Sequence, residues 1–256
     1  VQLYSKILGE SGQDIIILHG LLGRSDNWMT IAKILSENFR VHLLDIRNHG
    51  KSFHHNDMNY KLMCEDVFSY VKNMNLREVI IIGHSMGGKI AMYCANYFPD
   101  YFIKIVVVDI APKLYVGDHE YLLNTMLSTP LQIFKTRNEV DIYLKEYIPA
   151  DSIRLFIMKN LGRNEDNSFK WDCNVESLIY HYSELMDFEI QFTSSIEAYF
   201  IRGENSDYIL NKDFALLSSF FPNNKVYTIP NASHWVHADN PKAFIDVLKK
   251  CLTANS

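Results

Sequence analysis

Four apolar residues, Val79-Ile80-Ile81-Ile82, run directly into Gly83-His84-Ser85-Met86-Gly87. A continuous β-branched run has no polar face to offer water, so it reads as a strand covered on both sides in a parallel sheet. The turn after it carries a serine with glycine two residues before and two after, where any side chain would meet the neighbouring backbone. Such a turn takes the chain sharply from strand to helix and leaves the hydroxyl clear of the main chain. A serine held this way can reach a carbonyl carbon once a base takes its proton. The helix begins at Met86, so its unpaired N–H groups lie where negative charge would develop during the attack. Ser85 is therefore the candidate nucleophile of an α/β chain.

The flanking sequence keeps the same rhythm. Residues 1 to 8 and Gly9-Glu10-Ser11-Gly12 read as an edge strand and a turn. Ile15-Ile16-Ile17-Leu18 is an apolar strand leading into the loop His19-Gly20-Leu21-Leu22-Gly23. Arg40 to Leu44 leads into Asp45-Ile46-Arg47-Asn48-His49-Gly50-Lys51-Ser52, and Ile103 to Ile110 is a strand containing Asp109. Between them, Ser25 or Asp26 is placed to cap a helix carrying Trp28, Ile31, Ala32, Ile34 and Leu35. Leu62, Met63, Val67, Val71 and Met74 recur at helical spacing between Tyr60 and Met74. Strand and helix in alternation argue for a mostly parallel sheet with helices on both faces and a site at the carboxyl ends of the strands. His19, Asp45, Ser85 and Asp109 all fall at such ends. The backbone N–H at about Leu21 is the expected second oxyanion donor beside that of Met86.

From about Ala111 to Phe192 the rhythm stops. Groups such as Leu122, Leu123, Met126 and Leu127, or Leu155, Phe156, Ile157 and Met158, read as short amphipathic helices, and Phe169-Lys170-Trp171 as a small hairpin or loop. The expected organisation is a core of residues 1–110 and 193–256 with a helical cap, or lid, at 111–192 over the strand ends. Plain packing of those helices on the sheet is the alternative. The sheet resumes at Ala198-Tyr199-Phe200-Ile201 and again at Lys225 to Ile229. A loop from Pro230 to His237 follows, then a last helix opened by Asn240 and Pro241.

Composition removes several classes of function. A net charge of −5 with no Lys/Arg cluster gives no footprint for nucleic acid. No apolar run nears the roughly 18 residues of a membrane span, and Val1-Gln2-Leu3-Tyr4-Ser5-Lys6 lacks the layout of a secretory signal, so a cytoplasmic location is expected. Cys64, Cys94, Cys173 and Cys251 form no C-x-x-C pair and read as reduced structural thiols. The adjacent His54 and His55 read as a solvated pair rather than a metal site.

Five blocks together resemble the α/β-hydrolase superfamily, and within it the YbfF-type bacterial esterases. They are His19-Gly20-Leu21 before Asp26-Asn27-Trp28; the Asp45–Ser52 loop; Gly83-His84-Ser85-Met86-Gly87-Gly88-Lys89; Val108-Asp109-Ile110-Ala111-Pro112; and Ser233-His234-Trp235-Val236-His237. The resemblance implies Ser85 as nucleophile and His234 as its base, with His237 bordering the pocket and His84 structural. Many members carry the acid in a Gly-x-x-Asp turn, but here that turn reads Gly203-Glu204-Asn205-Ser206, with Asp207 one position late. Asp109 is therefore the expected acid, with Ser206 adding a hydrogen bond and Asp207 as the alternative. His19, Arg47, Trp235 and His237 are expected to meet the substrate, although Arg47 could equally pair with Asp45.

The function implied is hydrolysis of a small-molecule acyl ester or thioester, of small to medium chain, through an acyl-enzyme and without cofactor or metal. Acyl-CoA is among the candidates because Arg47, Lys51 and Lys89 lie on or near these loops. A monomer or a homodimer would serve. A non-catalytic ligand receptor and a perhydrolase or C–C bond hydrolase are the competing readings.

Overall fold

The β-branched run at residues 79–82 lies in the fourth of seven strands, at the middle of the main sheet. The computed structural model of the chain describes residues 2–117 and 119–253. Residues 1 and 254–256 of the expected core, and Asp118 of the expected cap, lie outside it. The first part of the chain forms β1 (Ser5–Leu8), β2 (Gln13–Leu18), α1 (Met29–Leu35), β3 (Phe39–Leu44), α2 (Tyr60–Asn73), β4 (Val79–His84), α3 (Met86–Tyr97) and β5 (Phe102–Val108). The inserted stretch forms α4 (Glu120–Ser128), α5 (Arg137–Lys145), α6 (Asp151–Met158), β6 (Leu161–Arg163), β7 (Phe169–Trp171), α7 (Val175–Tyr180) and α8 (Tyr182–Met186). The chain then returns to the sheet with β8 (Glu197–Gly203), α9 (Phe214–Phe220), β9 (Asn224–Ile229), α10 (Val236–Asp239) and α11 (Pro241–Thr253).

The strand order is β1-β3-β2-β4-β5-β8-β9, with β1 antiparallel to β3 and every other pairing parallel. Register places Ile81 beside Ile16 on one side and Ile105 on the other, and Val107 beside Phe200. Because side chains alternate along a strand, this register sorts the apolar residues onto two faces. Ile16, Ile81, Ile105, Val107 and Phe200 pack with α2, α3 and the inserted stretch. Ile15, Ile80, Val106, Tyr199 and Ile229 pack with α1 and α11. Each fully buried aliphatic side chain contributes on the order of 1.5–3 kcal/mol, so the double covering explains why β4 needed no polar residue before Gly83.

Three details differ from expectation. Ser25–Trp28 is a 3-10 turn and the helix proper starts at Met29. Ser25 does not cap it; its N–H instead donates to buried Asp45 Oδ1 at 2.7 Å, which tightens the entry. Strand β5 stops at Val108, one residue before Asp109, and Val236–Asp239 is a short helix rather than loop. Phe169–Trp171 does pair with Leu161–Arg163 as an antiparallel hairpin.

The inserted stretch is seated on the loops at the strand ends. Asn48 donates to Ser177 Oγ at 3.0 Å and its carbonyl accepts from Asn174 N at 2.9 Å. Tyr60 donates to the Leu185 carbonyl at 2.6 Å, and Lys89 Nζ donates to the carbonyls of Met186 and Asp187 at 2.9 and 2.8 Å.

Candidate active site

Ser85 sits between β4 and α3 with φ of 51°, in the left-handed region, where a non-glycine residue carries of order 1–3 kcal/mol of strain. Its N–H donates to the Val108 carbonyl at 3.0 Å, tying the turn to the next strand. The two glycines serve closeness rather than φ. A Cβ at Gly83 would lie 2.2 Å from the Gly87 carbonyl oxygen, and one at Gly87 would lie 2.4 Å from that of Leu18.

Asp109, next beyond β5, is fully buried and also has a positive φ, of 54°. Its Oδ1 accepts from Gly203 N at 3.1 Å, and its Oδ2 accepts both from Ser206 Oγ and from His234 Nδ1, the latter at 2.8 Å. The Gly203–Ser206 turn thus supplies donors to a carboxylate that stands on the neighbouring strand. Asp207 is exposed.

A carboxylate only accepts, so His234 carries its proton on Nδ1 and keeps the Nε2 lone pair. The ring stacks on Tyr208 with centroids 3.6 Å apart, and the His234 carbonyl accepts from His84 Nε2 at 2.9 Å. His84 therefore ties the histidine loop to the nucleophile turn. Burial lowers His234 to about 3, with His119 adding to the effect and Asp239 opposing it, so the neutral imidazole is the resting form. Burial pushes the Asp109 carboxyl up, against the donors Ser206 and Gly203 that hold it ionised.

The loop after β2 passes against the nucleophile: a Cβ at Gly20 would lie 3.2 Å from Ser85 Cβ. Gly23 N donates to Gly20 O at 2.9 Å, closing a turn that holds Leu21 beside the start of α3. Two buried histidines fasten it. His19 Nε2 accepts from Ile46 N at 3.0 Å and His49 Nε2 accepts from Leu22 N at 3.1 Å, while each Nδ1 donates to a backbone carbonyl, of Gly20 and Arg47. Burial lowers both rings, His49 to about 3, which keeps them neutral and in this tautomer.

Ser85, His234, Leu21 and Met86 line one cavity of about 590 Å³. Trp235 and His237 line it too, the latter stacked on Trp28 at 4.3 Å. His19 also borders it, with both ring nitrogens spent on the loops, so what it presents to the cavity is the surface of its ring. The expectation for Arg47 is corrected. Its guanidinium is buried on Asp66, at 2.5 and 2.8 Å, and on the Asp57 carbonyl, away from the cavity. It does not pair with Asp45, whose two oxygens accept from Ser25 N and Lys51 N. Sequence reasoning missed Tyr208, whose only signal was its place in the loop after β8.

A family model for the alpha/beta hydrolase fold matches residues 15–140. The sn-1-specific diacylglycerol lipase ABHD11 of Xenopus laevis is 34% identical over 93% of this chain and 78% of its own length. The chain belongs to the α/β-hydrolase family. As an α/β hydrolase of the esterase/lipase type it is also similar to Esterase YbfF of Escherichia coli, 29% identical over 93% of this chain and 92% of that protein. Among solved structures, a marine microorganism esterase is 41% identical with a TM-score of 0.95, over 97% of this chain and 98% of that one.

Proposed function

We propose that this α/β hydrolase is a serine carboxylic ester hydrolase working through a Ser85 acyl-enzyme. Ser85 Oγ attacks the ester carbonyl as His234 Nε2 takes its proton. Asp109, hydrogen-bonded to Nδ1, fixes the tautomer and stabilises the imidazolium that forms. The N–H groups of Leu21 and Met86 receive the tetrahedral oxyanion. His234 then protonates the departing alcohol, and a water activated by the same Nε2 releases the acid. Ser206 supports Asp109 rather than touching substrate. The observation that carries the reading is the 2.8 Å bond from His234 Nδ1 to buried Asp109, with His234 and Ser85 on one cavity.

Residues 111–192 act as the cap in this reading, between core segments 1–110 and 193–256. Leu122 of α4, Phe156 of α6 and Met186 of α8 supply apolar lining, which suits a small to medium acyl chain. Esters are favoured over acyl-CoA thioesters. Of the three cations on or near the site loops, Arg47 is engaged by Asp66, Lys89 by carbonyl groups, and Lys51 lies outside the cavity lining.

The test is hydrolysis of a chromogenic short-chain ester at neutral pH by the protein and by Ser85→Ala. Turnover in the first and its loss in the second supports the reading. Equal rates would assign the turnover to another group. Absence from both, with tight binding of a small ligand, would favour a receptor.

A further inference from the structure

Leu22 is the strained residue of the loop that passes Ser85. Its φ of 58° is left-handed, and such a conformation persists only where the surroundings hold it. Two buried side chains do so, one at each end of the residue. Its N–H donates to His49 Nε2 at 3.1 Å, and its carbonyl accepts from Asn160 Nδ2 at 2.8 Å. Since a carbonyl only accepts, the Asn160 amide must present its nitrogen here. Its Oδ1 is then buried with no hydrogen-bond partner among the described residues. An unpaired buried acceptor is destabilising, which leucine of similar size would avoid. The fold carries that cost in return for one bond to Leu22.

The two holders come from different parts of the chain. His49 lies in the loop after β3, whereas Asn160 follows α6 and reaches Leu22 across 138 residues of sequence. Asn160 is itself fixed, its N–H on the Ile157 carbonyl at 2.8 Å and its carbonyl receiving Asp172 N at 2.7 Å. Helix α6 also lines the cavity with Ile153 and Phe156. The stretch that covers the cavity therefore holds the loop beside the nucleophile.

We propose that Asn160 is a positioning residue for ester hydrolysis: by holding the Leu22 carbonyl it aims the Leu21 N–H at the oxyanion and makes that aim depend on the seating of the inserted stretch. The inference rests on the reading above, in which Leu21 and Met86 form the oxyanion hole. An aim that matters only when charge develops affects the transition state and not the bound ester. Loss of a whole oxyanion donor costs about 100- to 1,000-fold in kcat, so a misaimed one should cost roughly 10- to 100-fold.

The experiment compares the protein with Asn160→Asp, Asn160→Leu and Arg137→Gln. Arg137 holds the carbonyls of Met158 and Leu161, on either side of the same turn, without touching Leu22. The readouts are kcat and KM for the chromogenic ester, inhibition by an arylboronic acid that forms a tetrahedral adduct on Ser85, binding of an ether isostere of the ester, and melting temperature. In the Asn160 variants kcat should fall by roughly 10- to 100-fold and boronate binding weaken in step, with KM and isostere binding steady. Arg137→Gln, which loosens the turn but leaves the Asn160–Leu22 bond in place, should lower the melting temperature with a smaller loss of kcat than either Asn160 variant. A folded Asn160 variant with wild-type kcat, a boronate affinity that does not move, or an equal kcat loss in Arg137→Gln would overturn the assignment. Should Asn160→Leu not fold, the isosteric Asn160→Asp decides. If the unsubstituted protein neither hydrolyses the ester nor binds the boronate, the oxyanion reading fails and this inference with it. If it does both and the Asn160 variants match it, only this inference falls.

Discussion

The carboxylate that holds His234 stands two strands away from the histidine's own strand. Asp109 follows β5, His234 follows β9, and the Gly203–Ser206 turn after β8 lies between them and donates to the same carboxylate. Asp109→Asn would present an amide to Nδ1 and favour the wrong imidazole tautomer, so turnover should fall by about four orders of magnitude. Asp207→Asn, at an exposed position, should leave turnover near that of the unsubstituted protein. The reverse pattern in kcat would move the acid to Asp207. Ser206→Ala removes one of three donors to Asp109, and a fall of about tenfold is expected, in keeping with one charged hydrogen bond of about 1.5–3 kcal/mol partly replaced by water. The pH dependence belongs to the same group. His234 is useful as a base only when neutral, and burial lowers it, with His119 adding to the effect and Asp239 opposing. The acid limb of kcat/KM should therefore lie below the ordinary histidine range, activity being kept as pH falls past 6.5 and lost lower down. A limb at or above 6.5 would show that the ring is better solvated than its surroundings imply.

At the scale of elements, the unit from β4 through Ser85 into α3 was legible because everything that makes it is local: a β-branched run, two close-approach glycines and a helix start within a dozen residues. The His19-Gly20 loop and Asp109 could be placed for the same reason, each at the end of an apolar run, whereas the choice of His234 rests on the resemblance and not on the run before it. What was not legible depends on partners far apart in sequence. The sequence offers Arg47 to the substrate or to its near neighbour Asp45, yet Asp45 is consumed by two backbone N–H groups and Arg47 turns to Asp66 on α2. Nor does any periodicity announce that Asn160 reaches Leu22. Lys89 is a further case. It lies four residues past Ser85 on α3, buried, with its ammonium on the carbonyls at the end of α8 and against the rings of Tyr60 and Tyr115. Burial lowers it to about 7. Lys89→Met would leave the Asp187 carbonyl without its donor, whereas that of Met186 keeps the Tyr115 N–H, at a cost of about 1–3 kcal/mol where water does not reach the freed oxygen. The measurable outcome is faster proteolysis around residues 185–190 and a raised KM with a smaller change in kcat. Unchanged proteolysis and KM would show that α8 is held without this cation.

Over the whole molecule, the neutral histidines set how the fold meets acid. Burial lowers His19, His42, His49, His84, His234 and His237, in each case as the largest cause. Two of them, His19 and His49, hold the loops of the site as neutral rings with one nitrogen donating and the other accepting, so a second proton would break a bond as well as add a charge. In the unfolded chain the same rings protonate near 6.5. As pH falls below that value the unfolded state binds protons that the folded state refuses, and stability must fall with it. Asp109 works in the opposite sense, since burial raises its carboxyl and the folded state takes up that proton before the unfolded one does as pH falls. Its single proton offsets only part of the histidine term. Each net proton is worth about 1.4 kcal/mol per pH unit, so several acting together would remove several kcal/mol between pH 6.5 and 5.5, a large share of a stability that is typically about 5–15 kcal/mol. Urea unfolding at a series of pH values should show a steep decline in that window, with a slope corresponding to more than one proton taken up on unfolding. A stability that stays level from pH 7 to pH 5 would mean that the buried rings accept their second proton in place. The loops of the site would then have to be held by something other than neutral histidine.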